Sequence, residues 1–401
     1  MSDPSPRLIK AILAFAIGTS SLAGQVFMPT LPAVQSDFGV VAAQVQLTVS
    51  IPLFSVAVGT LIWGLLSDRF GRRAMLLSGF LVFFAGTVAS LLAPSIAVLA
   101  VARVVQSFGS AAGFVVCRAV IRDLYGRERA AAELASLVAI MVIAPMFGPL
   151  IGGTVTDFAG WRAVFAVMGL VVGGAALLIY LGLPETHHNR IALPGVTSLF
   201  AGYGRLLRSA EYRAYAFQSA FMVALFNVFM ASAPYVVIVV MERSAKEYGF
   251  WFVFQTFGYL TGNLIVNRLA QHLGIDRLIR AALVLSLAAN FAVLAVVAAG
   301  WWNPLAIFIP FLGMGVANGI ALPNANAGAV SVYPELAGTA SGLLSFIQLG
   351  LAAMFAQAAG SIQNGTPYPM AIFMCVCALL ASVSFHAIKP SSTAGRVPIQ
   401  S

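Results

Sequence analysis

Twelve apolar runs, each about 20 residues or longer, follow one another along this chain. They fall at about 11–34, 44–66, 75–93, 96–119, 133–157, 161–183, 214–240, 248–270, 278–299, 303–328, 336–361 and 367–388. A run of that length is what a helix needs to cross the hydrocarbon layer of a bilayer. Of 401 residues, 60% are hydrophobic and only 9% are Asp, Glu, Lys or Arg. A soluble domain carries about a quarter charged residues, so this chain could not cover a soluble surface. A soluble enzyme is disfavoured on that ground; a disordered chain fails on hydrophobicity, a collagen on the lack of a Gly-x-y period, and a disulfide scaffold on its 3 Cys. The expected class is an all-α membrane protein with twelve transmembrane helices in two six-helix bundles.

Cys117, Cys375 and Cys377 all lie within apolar runs, with no His or Cys at ligand spacing beside them. They read as small core residues, and no metal or other cofactor is expected. The net charge of +9 raises nucleic acid as a partner. The Lys and Arg, however, sit between the apolar runs and form no single basic face, so the bilayer is the expected partner instead. Met1 to Lys10 is polar and leads into the first run without a small-residue cleavage site. It reads as an uncleaved first span.

The basic residues also give an orientation. Arg69, Arg72, Arg73, Arg122, Arg277, Arg280 and Lys389 lie on one side, whereas the other side has only Arg162, Arg243 and Lys246. By the positive-inside rule both termini are expected in the cytoplasm. The polar stretch from Pro184 to Arg213 divides the chain. Residues 1–184 form an N-terminal bundle, 185–212 a cytoplasmic linker, 213–390 a C-terminal bundle and 391–401 a cytoplasmic tail. In the linker, Leu199, Tyr203, Leu206 and Leu207 recur at helical spacing beside Arg205 and Arg208. That pattern fits an amphipathic helix on the membrane surface; the alternative is a solvated linker. The halves look like an internal repeat. Gly64 to Arg73 after the second run has a counterpart in Asn267 to Arg277 after the eighth. Two such halves suggest bundles around a central cavity.

Three motifs carry chemistry. Gly64, Asp68, Arg69, Gly71, Arg72 and Arg73 stand at a membrane boundary. An unpaired carboxylate there is costly, so Asp68 needs a cation or a helix N-terminus. Arg69, Arg72, Arg73 and Arg122 are the available cations, with Asp123 close by. The eleventh span begins just after Pro334 and Glu335. Docking Asp68 onto it would latch the two halves; otherwise these charges only set topology. In the fourth span, Arg103 is followed by Gln106 and a small-residue stretch. A buried Arg is expensive and usually functional, although backbone carbonyls and Gln106 could simply satisfy it. In the fifth span, Pro145, Gly148, Pro149, Gly152 and Gly153 combine close helix approach with a bend. Gly148 and Gly152 share one face there.

The loop of Gly64 to Arg73 resembles the loop 2–3 motif of the major facilitator superfamily. The fourth-span Arg103 and Gln106 and the fifth-span Pro145 to Gly153 resemble that superfamily's helix 4 motif and its drug-export motif. Three more segments are similar to the bicyclomycin and chloramphenicol resistance branch of twelve-helix drug:proton antiporters. They are Phe27-Met28-Pro29, Arg118 to Leu124, and Asn318 to Asn326 with Ala337 to Ser341. The resemblance covers about residues 8–388. It implies alternating access and proton coupling in an inner membrane. One departure stands out. In that branch the residue two before Phe27 is commonly an Asp, taken as the proton carrier; here it is Gln25. All 13 acids fall in loops or near helix ends, so the membrane centre is expected to hold Arg103 and no acid. Gln25 and Arg103 lie at similar depth and could meet, with Gln25 as a neutral partner to the guanidinium.

The cavity is expected to combine aromatic and Met surface with a few amides. Candidates are Gln25, Phe27, Met28, Arg103, Gln106, Phe114, Asn227, Tyr235, Gln255, Tyr259, Asn263, Asn318 and Gln348, with Phe221, Phe226 and Met314. The leading functional expectation is a monomeric secondary exporter of small amphipathic compounds. An importer or exchanger of an anionic metabolite is the alternative, favoured by the missing acid. A receptor on the same scaffold would need a signalling domain. No nucleophile–base or metal cluster points to an enzyme.

Overall fold

The computed structural model describes residues 6–125, 127–187 and 196–387. Helix accounts for nearly all of them, and none of the described residues is in a strand. The tail 391–401 and linker residues 188–195 lie outside the described residues.

The helices follow the apolar runs. Helix α1 runs from Pro6–Phe27 through a 3₁₀ turn into Leu31–Phe38. Then come α2 (Ala42–Phe70), α3 (Arg72–Leu91) and α4 (Ile96–Leu124). One helical stretch, Arg127–Gly182, is broken at Gly160, whose φ of 78° and ψ of 170° are not helical. It is two rods, α5 (127–159) and α6 (161–182). The expected surface helix is α7 (Val196–Arg208). The second half holds α8 (Ala210–Tyr235), α9 (Ala245–Leu273), α10 (Ile275–Ala298), α11 (Pro304–Ser331), α12 (Ala337–Ser361) and α13 (Tyr368–His386).

Ten stretches among the described residues are long and apolar enough to cross a membrane by themselves, one of them covering both α5 and α6. Helix α9 is not among them. It has the length of a span but carries Gln255, Thr256 and Tyr259, which face the centre of the molecule, and Asn263.

The repeat is visible in the backbone. The turn from α2 to α3 passes through Gly71 at φ 100° and ψ 153°. The turn from α9 to α10 passes through Gly274 at φ 77° and ψ 157°. A side chain at either position would be strained.

Three cores decide how the halves meet. One lies within the N-terminal half around Leu13, Leu76, Phe80 and Ile179. Another lies within the C-terminal half around Leu206, Tyr212, Ile279 and Phe385. The third is shared, joining Phe27, Val49 and Phe165 to Phe229, Tyr248 and Phe308. It sits at the face away from Arg69, Arg72 and Arg73. There the halves touch backbone to backbone. A Cβ on Gly153 of α5 would overlap the Ala245 carbonyl of α9, and one on Gly249 would stand 2.5 Å from Leu150 Cα. The Lys246 N–H donates to Asp157 Oδ2 at 2.9 Å. Ser50 donates to Gln357 Oε1 at 2.6 Å between α2 and α12. On the opposite, basic face the two cores are separate and a cavity opens between them. It is lined by Leu61, Gly64, Asp68, Arg118 and Arg122 on one side and by Thr339, Ser341, Gly342 and Ser345 on the other.

The linker pattern falls in α7, which packs on the C-terminal half. Leu206 is fully buried and Tyr203 packs beside it in the C-terminal core. Arg205 pairs with Glu335 at 2.9 Å and lies over the Tyr333 ring. Leu206 and Tyr203 of α7 thus meet the C-terminal half, whereas Leu207 is exposed.

Candidate functional site

Two connected recesses occupy the centre of the molecule, and Gln25 and Met141 line both. The first recess is apolar and aromatic with a few polar groups. It is formed by Met146, Val223, Phe226, Phe252, Gln255, Thr256, Tyr259, Asn318 and Leu322, with Pro145 at its edge. The second is the more polar of the two, about 300 Å³ in volume, with Ser20, Ser21, Met28, Arg103, Gln106, Ser107, Ser110, Phe114, Arg118 and Gln348 in its wall. Together the walls include two guanidinium groups and no carboxylate.

Arg103 is buried at 3% exposure. Its Nη1 donates to Gln106 Oε1 at 2.5 Å and its Nε to the Thr48 carbonyl at 3.3 Å. Gln106 is itself held, because its Nε2 donates to Thr87 Oγ1 at 2.9 Å. The guanidinium carbon lies 4.4 Å from the Phe27 ring centre, a cation–π contact. None of the described acids pairs with it. Its third nitrogen, Nη2, is left to the cavity.

The meeting of Gln25 with Arg103 does not occur. They share the polar recess, but Gln106 is the amide that Arg103 bonds, and Gln25 Oε1 has no hydrogen-bond partner. The reason is register. Gln106 sits one turn along the same helix as Arg103, whereas Gln25 is held by the packing of α1 on α5. A Cβ on Gly148 would stand 2.6 Å from the Gln25 Cβ.

Ten of the sequence candidates therefore gather in or beside the cavity: Gln25, Met28, Arg103, Gln106, Phe114, Phe226, Gln255, Tyr259, Asn318 and Gln348. Phe27 is fully buried and serves as the floor under Arg103. Met314 is buried and receives the Asn318 amide at 3.0 Å. The rest lie elsewhere. Asn227 and Asn263 are bonded to carbonyls one turn back on their own helices. Tyr235 lines a small recess at the far face. Phe221 packs edge-on against Phe355. Their spacing on the helix does not show which face turns inward.

The sequence reading missed Ser20, Ser21, Ser107, Ser110, Met141, Thr256 and Arg118. Arg118 is only partly buried; its Nε donates to the Phe114 carbonyl at 2.5 Å and the group lines both the polar recess and the cavity on the basic face. Its signal was available: it stands four residues before Arg122, well inside a helical run.

The second constellation surrounds Arg72, which is buried at 6% exposure. Its Nη1 donates to Asp68 Oδ1 at 2.5 Å and to Ser67 Oγ at 2.7 Å. Its Nε donates to Asp123 Oδ2 at 2.9 Å. Asp68 is thus paired across the turn from α2 to α3, within its own half. It and Gly338 to Ser341 stand on opposite walls of the open cavity. The expected docking of Asp68 on the start of α12 is not made in this conformation, because this is the face that is open. Arg69 is exposed over the Phe70 ring, and Arg122 lines the same cavity. Arg73 donates to the Tyr180 carbonyl at 2.7 Å.

Glu185, read only as an acid outside the membrane, completes this cluster. Its carboxylate accepts the backbone N–H groups of Arg72 at 2.8 Å and Arg73 at 3.3 Å, capping α3. It also accepts from Thr186 and His187, each at 3.0 Å. Burial alone would raise its pKa, but the four backbone donors outweigh that and hold it below the ordinary carboxylate range. A Cβ on Gly71 would overlap this carboxylate, a second reason for glycine there.

The fifth-span motif divides by function. Gly148 and Gly152 face α1 within their own half, whereas Gly153 faces α9 of the other half. An unanticipated pair does the same work in the second half. Gly258 and Gly262 of α9 cross Gly315 and Gly319 of α11 at backbone contact.

A twelve-rod helical membrane protein in two repeated halves, with a central cavity open to one face, is built as a transporter. The chain belongs to the major facilitator superfamily, whose family model matches residues 13–357. The relatives include a bicyclomycin resistance protein homolog of Haemophilus influenzae, 26% identical over 92% of this chain and 93% of that protein. A chloramphenicol resistance protein of Pseudomonas aeruginosa is 27% identical, covering 91% and 86%. Multidrug resistance protein D of Escherichia coli is 25% identical over 85% of each chain. The similarity falls in the bicyclomycin and chloramphenicol resistance branch. In fold, the chain resembles a bacterial homolog of the human lysosomal transporter Spinster in an inward-facing, occupied conformation. The TM-score is 0.75 at 14% identity, over 97% of both chains. The partially occluded inward-open xylose transporter XylE of E. coli gives 0.73 at 14% identity, over 97% of this chain and 99% of that one.

Proposed function

We propose that this chain is a secondary exporter of small amphipathic compounds, working by alternating access in a bacterial inner membrane. The observation that carries the reading is the central cavity, closed by the shared core on one face and open on the basic face. With basic loops inside, the open face is cytoplasmic, both termini are cytoplasmic, and the described conformation is the one that loads. The aromatic recess suits an apolar body and its amides orient it. The names of the resistance relatives support export.

Coupling differs from the branch pattern. No group lining the two recesses changes protonation in the working range, since Arg stays charged and Gln does not titrate. Proton linkage is assigned to the boundary acids Asp68 and Asp123. The test is accumulation of labelled chloramphenicol in cells with and without the protein, repeated with an uncoupler. Export lowers accumulation, and the uncoupler restores it. The unpaired Arg103 favours a second reading, import or exchange of an anionic metabolite. Accumulation raised above the control cells would establish that reading and overturn export.

A further inference from the structure

The two recesses present complementary chemistry, and several of their polar groups have no partner. Asn318 is buried at 2% exposure, and its Oδ1 has no hydrogen bond. Thr256, at 4%, has an unpartnered hydroxyl, and Gln25 an unpartnered carbonyl oxygen. All three line the aromatic recess. A buried polar atom left unpaired costs about 1–3 kcal/mol, so each is a demand for a ligand group. The two amide oxygens call for N–H or O–H donors. Across Gln25, in the polar recess, Arg103 holds Nε and Nη1 in bonds and leaves Nη2 free. Arg118 stands in the same wall. No carboxylate among the lining residues offsets this positive field, which low-dielectric walls strengthen.

We infer that the cavity selects amphipathic aryl anions. The acid group sits against Arg103, the ring lies among Phe226, Phe252 and Tyr259, and a ring donor is directed at the Gln25 and Asn318 carbonyls. This deepens the transporter reading and rests on that cavity being the transport site. A guanidinium matches the planar fork of a carboxylate, and like-charge approach excludes cations. A neutral amide keeps the shape but loses the charge-assisted bond.

The test is equilibrium binding to the purified full chain of four probes on one ring system. They are indole-3-acetate, 1-methylindole-3-acetate, indole-3-acetamide and tryptamine, which vary the charge and the ring donor separately. Indole-3-acetate is expected to bind at least about 10-fold more tightly than the amide, equivalent to about 1.4 kcal/mol. Tryptamine should bind weakest, and N-methylation should lower affinity several-fold. In Arg103→Ala the acid and the amide should bind equally. In Gln25→Asp, which leaves Arg103 and its network in place, the acid should lose its advantage and tryptamine should gain. Asn318→Ala should narrow the gap between the methylated and unmethylated acids. Tryptamine matching the acid in the wild type, an acid preference surviving Arg103→Ala, or binding of none of the four overturns the inference. Transport is read separately in proteoliposomes. An acid that binds but is not moved sinks the transport reading and leaves the binding preference intact. Cationic drugs moved without any anion preference do the reverse.

Discussion

At the scale of single residues, most of the chemistry here is hydrogen bonding to groups that a membrane boundary would otherwise leave unpaired. Arg72 joins Asp68, Ser67 and Asp123, and Glu185 caps the two N–H groups at the start of α3. The loop motif announced Asp68 and Arg72, because a carboxylate and cations at fixed spacing after an apolar run have few other uses. Glu185 could not be found that way. It lies far along the chain from Arg72, and only the docking of α6 beside α3 brings it there. Glu185→Gln should lower thermal stability at neutral pH by about 1 kcal/mol at most, since the group is partly solvated. Its carboxylate is held below the ordinary value. Its contribution is therefore complete above the unfolded value and fades as the pH falls through the lower folded one. The gap between wild type and Glu185→Gln, followed by thermal unfolding, should close as the pH falls below about 4. A gap that stays constant with pH would assign the effect to packing.

At the scale of helices, apolarity and close approach were legible, but facing was not. Helix α9 is less apolar than the other spans because its inward face supplies Gln255, Thr256 and Tyr259 to the cavity. The glycines of α5 were recognisable as a packing device. Only the fold separates Gly152, which meets α1, from Gly153, which meets α9. A side chain at the first disturbs one bundle; at the second it opposes closure of the far face. Overpacking of this kind costs about 1–3 kcal/mol. Gly153→Val should shift the population about 10-fold or more away from the described conformation, with the fold retained. The readout is maleimide labelling of Ser50→Cys from the far face, which is clean because Cys117, Cys375 and Cys377 are buried. Labelling of Ser50→Cys should rise with Gly153→Val and stay unchanged with Gly152→Val, which should instead lower stability. Equal labelling in all three would show that the crossing of α5 and α9 does not govern closure.

At the scale of the whole molecule, the two halves share one core at the far face and keep separate cores at the basic face. Exchange between states must part the first arrangement and join the second. We propose that, when the basic face closes, Asp68 leaves Arg72 for the backbone donors at the start of α12, which stand across the cavity in the described conformation. A carboxylate at a helix N-terminus contributes about 0.3–2 kcal/mol, so Asp68→Asn should slow transport by up to about 30-fold. It should insert and fold as before. Transport at the wild-type rate, measured in proteoliposomes, would leave the charge with a topological role only.

Length, apolar runs and the placement of charge determined the class of this protein and its twelve rods, and the loop and fourth-span motifs were recognisable by their resemblance to the family's. These are local properties: a run either can or cannot cross a bilayer, and a carboxylate at its edge either has a cation nearby or pays for its absence. The rotation of each helix about its axis is decided by packing against its neighbours, and no local pattern encodes it when apolar residues surround the rod. Tertiary structure alone therefore decided that Gln106 bonds Arg103 and Gln25 does not. It also decided that Asn318 faces the cavity while Asn227 bonds its own backbone, that Glu185 reaches Arg72, and that the described conformation opens on the basic face.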